Sequence, residues 1–298
     1  MKIYGAGIAG LLAGSIFQNA RIYEAGSEGT VQHKAVLRFR SSSVGDAVGI
    51  DFRKVRVHKG LYSDGKFVRP SIMLANMYSK KVIGRLADRS IWNLDPVDRY
   101  IAPEDFIGQL AERCAGRVTW NHTLTADEIL GTTEQAISTL PMSLMAKFVG
   151  ANDAPEFSYE KIVVKRWRIP NADVFQTIYF PDAWTNLYRA SITGDLLIAE
   201  FIDEEDDDDW AMLDAFGLSL NDVIPIEKVS QRYGKIAKIN DEWRKKFIYE
   251  LSAKHNIFSL GRFGTWKNIL MDDALKDIQV IKKLMNSSIY EHSMVRAK

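Results

Sequence analysis

The first ten residues, MKIYGAGIAG, constrain the fold more than any other stretch of this chain. Gly5, Gly7 and Gly10 form a G-x-G-x-x-G pattern after a short apolar strand and at the start of a buried-helix pattern, IAGLLAGSIF. The first glycine permits a tight turn and the second lets a pyrophosphate approach the backbone. The third lets the helix pack closely on its strand. Free N–H groups at the helix start, around Ile8 and Ala9, join the helix dipole in attracting phosphate. ARIYEA then reads as a second strand ending on Glu24, 19 residues after Gly5. A carboxylate there accepts hydrogen bonds from ribose hydroxyls and repels a 2′-phosphate. A βαβ start of this kind predicts a parallel sheet. The pattern specifies a dinucleotide and does not choose between FAD and NAD.

Further along, PEDFIGQLAERCA (residues 103–115) reads as a helix opened by a proline and two acids. RVTWN and AISTLPM read as strands, and YSDGKF as a hairpin turning on Asp64-Gly65. Residues 159–202 differ in kind. Four strand-like runs, YEKIVVKRWRI, DVFQTIYF, TNLYRASIT and DLLIAEFI, are separated by short turns, which predicts an antiparallel meander. Residues 204–255 read as an acidic turn followed by two helical stretches. HNIFSLGR is a last strand entering a glycine turn, and MDDALKDIQVIKKLM a closing helix. The expected fold class is therefore α/β. A Rossmann-like lobe would come from residues 1–45, 100–150 and 253–298, and an α+β substrate lobe containing an antiparallel sheet from the inserts 46–99 and 151–252.

Two stretches favour FAD. The strand AISTLPM, with Thr139 at its end, resembles the strand that closes over the dinucleotide in FAD-binding proteins of the amine-oxidase and glutathione-reductase type. The second is FSLGRFGTWKNILMDD. Gly261, Arg262, Gly264, Thr265, Trp266, Lys267, Met271 and Asp272 resemble the C-terminal flavin and substrate motif of UDP-galactopyranose mutases and their amine-oxidase-like relatives. That resemblance implies an FAD-binding lobe of the glutathione-reductase type, with Gly261, Arg262, Met271 and Asp272 beside the flavin. A strand–glycine–helix unit suits this place, because a helix N-terminus stabilises the negative charge of a reduced flavin ring. The chain departs from the mutases in carrying Asn268 where they usually have a sugar-nucleotide-contacting tyrosine, and in the separated Gly26 and Gly29 of EAGSEG.

The expected cofactor contacts are Gly5, Gly7, Ile8, Ala9, Gly10, Glu24, Arg38, Thr139, Gly261, Arg262, Met271 and Asp272. Arg262, Trp266 and Arg189 are the catalytic candidates. Arg189 lies in an otherwise mostly apolar strand, and with Tyr188, Tyr179, Trp266 and Asn268 it is assigned to the substrate side. The expected activity is oxidation of a C–N or C–O centre by hydride transfer to FAD. Three alternatives stay open: a mutase-like non-redox flavoenzyme acting on a sugar nucleotide, an enzyme modifying an amino-substituted nucleotide or DNA base, and a non-catalytic flavin-binding regulator.

Charge bears on the partner. Residues 33–89 hold thirteen Lys or Arg against four acids, about +9, whereas DEEDDDD at 203–209 is acidic and the whole chain is only +1. Either these are two solvated surfaces, or the basic segment faces the phosphates of a diphosphate substrate or of nucleic acid. Cys114 is the single cysteine, so an internal disulfide is excluded, and its helical setting makes it core filling. The five histidines show no metal-ligand spacing, and no metal is expected. Neither a signal peptide nor a membrane-spanning apolar run is legible, so a cytoplasmic protein is expected.

Overall fold

The computed structural model describes residues 1–29, 37–87, 90–202 and 209–286. Several expectations fall on residues outside these: His33, Lys34, Asp88 and Arg89 of the basic segment, 203–208 of the acidic run, and 287–298 of the expected FAD lobe.

The chain opens with β1 (Lys2–Tyr4), α1 (Ile8–Ile16), β2 (Arg21–Tyr23), β3 (Arg38–Phe39), α2 (Ser43–Val48), β4 (Arg53–Ser63) and β5 (Lys66–Phe67). Next come α3 (Ile72–Ile83), β6 (Val97–Ile101), α4 (Phe106–Arg113), β7 (Val118–Thr119), α5 (Ala126–Leu130), β8 (Ala136–Ser138) and α6 (Met142–Phe148). The third stretch is β9 (Tyr159–Arg168), β10 (Val174–Tyr179), β11 (Leu187–Gly194), β12 (Leu196–Ile202) and α7 (Asp209–Phe216). It closes with β13 (Ile224–Ile236), α8 (Asp241–His255), β14 (Ile257–Ser259), α9 (Gly261–Gly264) and α10 (Met271–Met285).

Five of these strands form a parallel sheet in the order β14-β8-β1-β2-β7. Successive residues of a strand face opposite ways, so a sheet buried on both sides needs apolar residues at every position. Ile3 accordingly packs with Leu11 and Leu12 of α1, Phe106 of α4 and Ile278 of α10. Its neighbour Tyr4 packs with Met142 and Met145 of α6 and Phe247 and Leu251 of α8. Cys114 is buried in the first of these cores, where desolvation raises its thiol pKa. It is core filling, as expected.

The second sheet runs β13-β9-β12-β11-β10-β4-β6-β3, with β5 paired to β4. It is antiparallel apart from the β4–β10 pair. One face is covered by α7 through Met212 and Leu213, the other by α3 through Leu74, Tyr78 and Val82. The expected hairpin is present: Asp64 (φ 51°) and Gly65 (φ 73°) turn the chain so that Ser63 pairs with Lys66. A parallel sheet beside a curled antiparallel one is the α/β class the sequence implies.

Two expectations need correcting. The four runs at 159–202 do not form a simple meander, because β9 pairs with β12 and not with the next strand, β10. The link after β9 turns back instead, with Ile169 N–H donating to Asp195 O and Arg168 paired to Asp195 and Glu104. The reading of 204–255 as an acidic turn and two helices also missed β13, a strand of thirteen residues. Among the described residues β13 is an edge strand pairing only with β9, and an edge tolerates charged residues such as Glu227, Lys228 and Lys235. Those charges hide its period in the sequence.

Candidate functional site

The glycine loop fits a phosphate cradle. Gly5 has φ +96°, open to glycine at little cost, and a Cβ there would lie 2.4 Å from Thr139 Oγ1. A Cβ on Gly10 would lie 1.9 Å from Gly5 O, so the close passage of α1 over the β1 turn requires glycine. Gly7 differs, because no heavy atom lies within 4 Å of where its Cβ would be. The first intrahelical bond is Leu11 N–H to Gly7 O, 2.9 Å, which leaves the preceding N–H groups of the first turn without helical acceptors. Open space thus meets free donors at a helix N-terminus, as a bound anion needs.

Glu24 closes this loop from β2. Its two carboxylate oxygens accept Ala6 N–H at 2.6 Å and Gly26 N–H at 2.8 Å. Each oxygen keeps a second lone pair, so ribose hydroxyls can still be accepted. Thr139 donates its hydroxyl to Tyr4 O at 2.9 Å, tying the end of β8 to the end of β1. In this structure Thr139 is a tether beneath the loop.

The far end of the chain reaches the same place. Gly261 takes φ +78°, and a Cβ on it would lie 2.9 Å from Ala9 Cβ in the first turn of α1. Leu260 N–H donates to Ser138 O at 2.9 Å, and a Cβ on Gly264 would meet the same carbonyl at 2.7 Å. The two glycine stretches are therefore in contact, although some 250 residues of sequence separate them.

A short strap joins the sheets. Arg38 reaches onto β10 and β11, donating to Thr193 Oγ1 (2.8 Å), Gln176 O (3.0 Å), Ile192 O (2.7 Å) and Thr177 Oγ1. Burial, then the nearby Arg189 charge, lowers its pKa to about 10. Two residues on, the backbone N–H groups of Arg40 and Ser41 donate to Asp272 Oδ1 (3.0 and 3.2 Å), and Arg40 also pairs with Asp273. Asp272, the second residue of α10, is buried. Arg38 thus plugs one sheet while Asp272 fixes the strap to the helix behind the other.

The substrate-side candidates divide. A bulge between Leu187 and Arg189 puts both Tyr188 and Arg189 against Glu200 of β12. Arg189 makes a two-point ion pair with Glu200, and Tyr188 donates its hydroxyl to the same carboxylate at 3.0 Å. Burial alone would raise the Glu200 pKa, but the Arg189 charge and hydrogen bonds outweigh it and the net shift is downward. Lys235 of β13 lies 4.4 Å from the Tyr188 ring centre. Arg262 reaches the same side, bonding Gly234 O (2.8 Å) and Asn268 Oδ1 (3.2 Å); burial lowers its pKa and Tyr188 partly offsets this. Arg262, Asn268, Tyr188 and Arg189 are brought together. Tyr179 is instead packed edge-on against Tyr78. Trp266 is buried with φ +44°, its Nε1–H donating to Ala237 O and its ring edge-on to Phe157. Both are held in apolar packing. Met271 is partly buried against the core around α1.

Glu200, Gly234 and Lys235 were missed. Glu200 had a signal: a hairpin turning on Gly194-Asp195 sets Arg189 opposite a lone acid in an apolar strand. Gly234 and Lys235 had none, since β13 itself was not legible. Two cavities, of about 330 Å³ beside α8 and about 360 Å³ beside Tyr62, are lined by neither glycine stretch. Among the described residues no cluster of His, Cys, Asp and Glu could hold a metal, and no helix is long and apolar enough to cross a membrane.

No family model matches the sequence, and no curated protein matches it. Solved structures do. PF1083 from Pyrococcus furiosus matches with TM-score 0.51 and 12% identity over 96% of this chain and 97% of its own. MibH, a lathipeptide tryptophan 5-halogenase, matches with TM-score 0.51 and 13% identity over 95% of this chain and 65% of its own. A p-nitrophenol 4-monooxygenase from Pseudomonas putida gives TM-score 0.45 and 10% identity over 77% of this chain and 66% of its own. The chain thus spans just under two thirds of the length of these two enzymes. The likeness shows a Rossmann-type α/β fold, and it singles out neither amine oxidases nor UDP-galactopyranose mutases.

Proposed function

We propose that the chain is an FAD-dependent oxidoreductase whose cofactor spans the junction of its two glycine stretches. The contact of Gly261 with Ala9 carries this reading, because it sets a second strand–glycine turn at the mouth of the phosphate cradle. The N–H groups around Gly7, Ile8 and Ala9 would hold the pyrophosphate, with Gly5 and Gly10 shaping the loop. Glu24 would accept the ribose hydroxyls, and the turn at Gly261 with Met271 and Asp272 would border the ring. FAD bound there would supply the redox chemistry, oxidation by hydride transfer of a carbon bearing an amine or hydroxyl. Arg189 and Arg262 would hold and orient the substrate, the first guanidinium fixed by Glu200, which Tyr188 also bonds, and the second by Asn268. The FAD lobe would comprise 1–45, 100–150 and 253–298, and the substrate lobe 46–99 and 151–252.

A second reading, oxygen-dependent chemistry of the monooxygenase or halogenase kind, draws on the likeness to MibH over most of this chain. One purification and one screen separate them. The protein should carry FAD, seen as flavin absorbance and released on denaturation; a colourless protein that no added FAD restores would refute the proposal. Anaerobic bleaching by an amine or alcohol supports the oxidase reading, whereas oxygen consumption driven by reduced nicotinamide supports the second. Turnover of a sugar nucleotide only after prior reduction, without oxygen uptake, would mark the mutase-like alternative.

A further inference from the structure

Away from both glycine stretches, a cavity of about 360 Å³ opens where β4 and β10 end and β11 begins, beside α7. That is the size of a small-molecule site. Four aromatic residues line it: Tyr62, Phe180, Trp184 and Trp210. Trp184 is 58% exposed and Trp210 61% exposed, more than any other tryptophan among the described residues. Two such rings at one cavity mouth are costly in water unless something covers them.

The polar lining has one sign. Among the described residues Asp64 and Asp182 line the cavity and no Lys or Arg does. Asp182 is only 5% exposed, its carboxylate held in place by Ser63 Oγ–H at 2.5 Å and Asp64 N–H at 3.2 Å. Behind the rings, Tyr62 donates its hydroxyl to Asp214, which pushes the Tyr62 pKa up to about 12 and keeps the phenol neutral. The Lys81 ammonium donates to the carbonyls of Phe180, Asp182 and Leu187, fixing the backbone of the loop that carries Asp182 and Trp184. The loop is braced, and its rings and carboxylates are what the cavity presents.

Rings with negative faces set beside carboxylates, that of Asp182 held in place, select an organic cation over a neutral group of the same shape. We infer that this cavity binds a small alkylated ammonium compound. The site is separate from the FAD reading and stands or falls without it.

Calorimetric titration of the full chain tests it, with choline as probe and 3,3-dimethyl-1-butanol as its uncharged isostere. Saturable binding of choline is expected, about tenfold or more tighter than the isostere. Trp210→Ala and Asp64→Asn, both at exposed positions, should each weaken choline by about tenfold with the thermal transition unchanged. Equal binding of the two probes, or no saturable heat below ~10 mM choline, overturns the inference. So does self-association of the chain that Trp210→Ala abolishes, because the rings would then cover a second copy.

Discussion

Gly7 and Gly10 stand three residues apart in one motif and answer to different constraints. A Cβ at Gly10 collides with the backbone carbonyl of Gly5, so Gly10→Ala must push α1 off its strand. A loss of about 1–3 kcal/mol or more is expected, read from the denaturant midpoint. A Cβ at Gly7 meets empty space, and its φ of −65° suits any residue. Gly7→Val should therefore leave the thermal transition nearly in place while abolishing FAD retention. Stability lost at Gly7 with flavin retained would mean the open space is not a ligand's. Arg262→Ala gives a third contrast: flavin should stay and turnover fall, since its guanidinium bonds Gly234 and Asn268 and not the glycine loop. Loss of flavin alone would remove Arg262 from the substrate side.

At the scale of elements, the bulged hairpin β11–β12 concentrates charge within the sheet. Glu200 is almost wholly buried and its pKa is lowered in the fold, so the carboxylate contributes stability at pH values above its unfolded pKa of ~4.3. That contribution is lost as the pH falls through the lower folded value. Glu200→Gln leaves the Arg189 guanidinium without its counter-charge, which should cost about 3 kcal/mol at neutral pH. It should also flatten the acid limb of a circular-dichroism unfolding curve; an unchanged acid limb would show that the pair is not what acid breaks. What the sequence revealed follows the same scale. The glycine loop, Glu24 and the Asp64-Gly65 turn are local requirements and were legible. The pairing of β9 with β12, the strand β13 and the seat of Arg38 on β10 and β11 depend on distant partners. Local pattern carries no trace of them. Trp266 shows the opposite failure: it matches a motif, yet its ring serves the core between α6 and α8.

For the molecule as a whole, FAD bound at the junction of the glycine stretches would tie β1, α1 and the region around α9 together. Free FAD at about 100 times its dissociation constant should then raise stability by about 2.7 kcal/mol. The shift should vanish in Gly7→Val and persist in Glu200→Gln. Charge at this scale is more balanced than the sequence suggests. Arg53 pairs with Asp173, and Lys54 and Arg56 with Asp98. Nucleic-acid binding through 33–89 would need the remaining cations, and a steep loss of DNA affinity with added salt is its signature.

The strand order β14-β8-β1-β2-β7 also sets a timetable. On the ribosome the glycine loop emerges well before its partners: its strand waits for β8 at residue 136, and β8 waits for β14 at residue 257. Until β14 is made the nascent sheet therefore presents an unsatisfied edge at β8, the condition under which growing chains aggregate or recruit chaperones. Pairings this distant in sequence also fold slowly. A chain arrested before residue 257 should be protease-sensitive and chaperone-bound even with the whole N-terminal fingerprint already made.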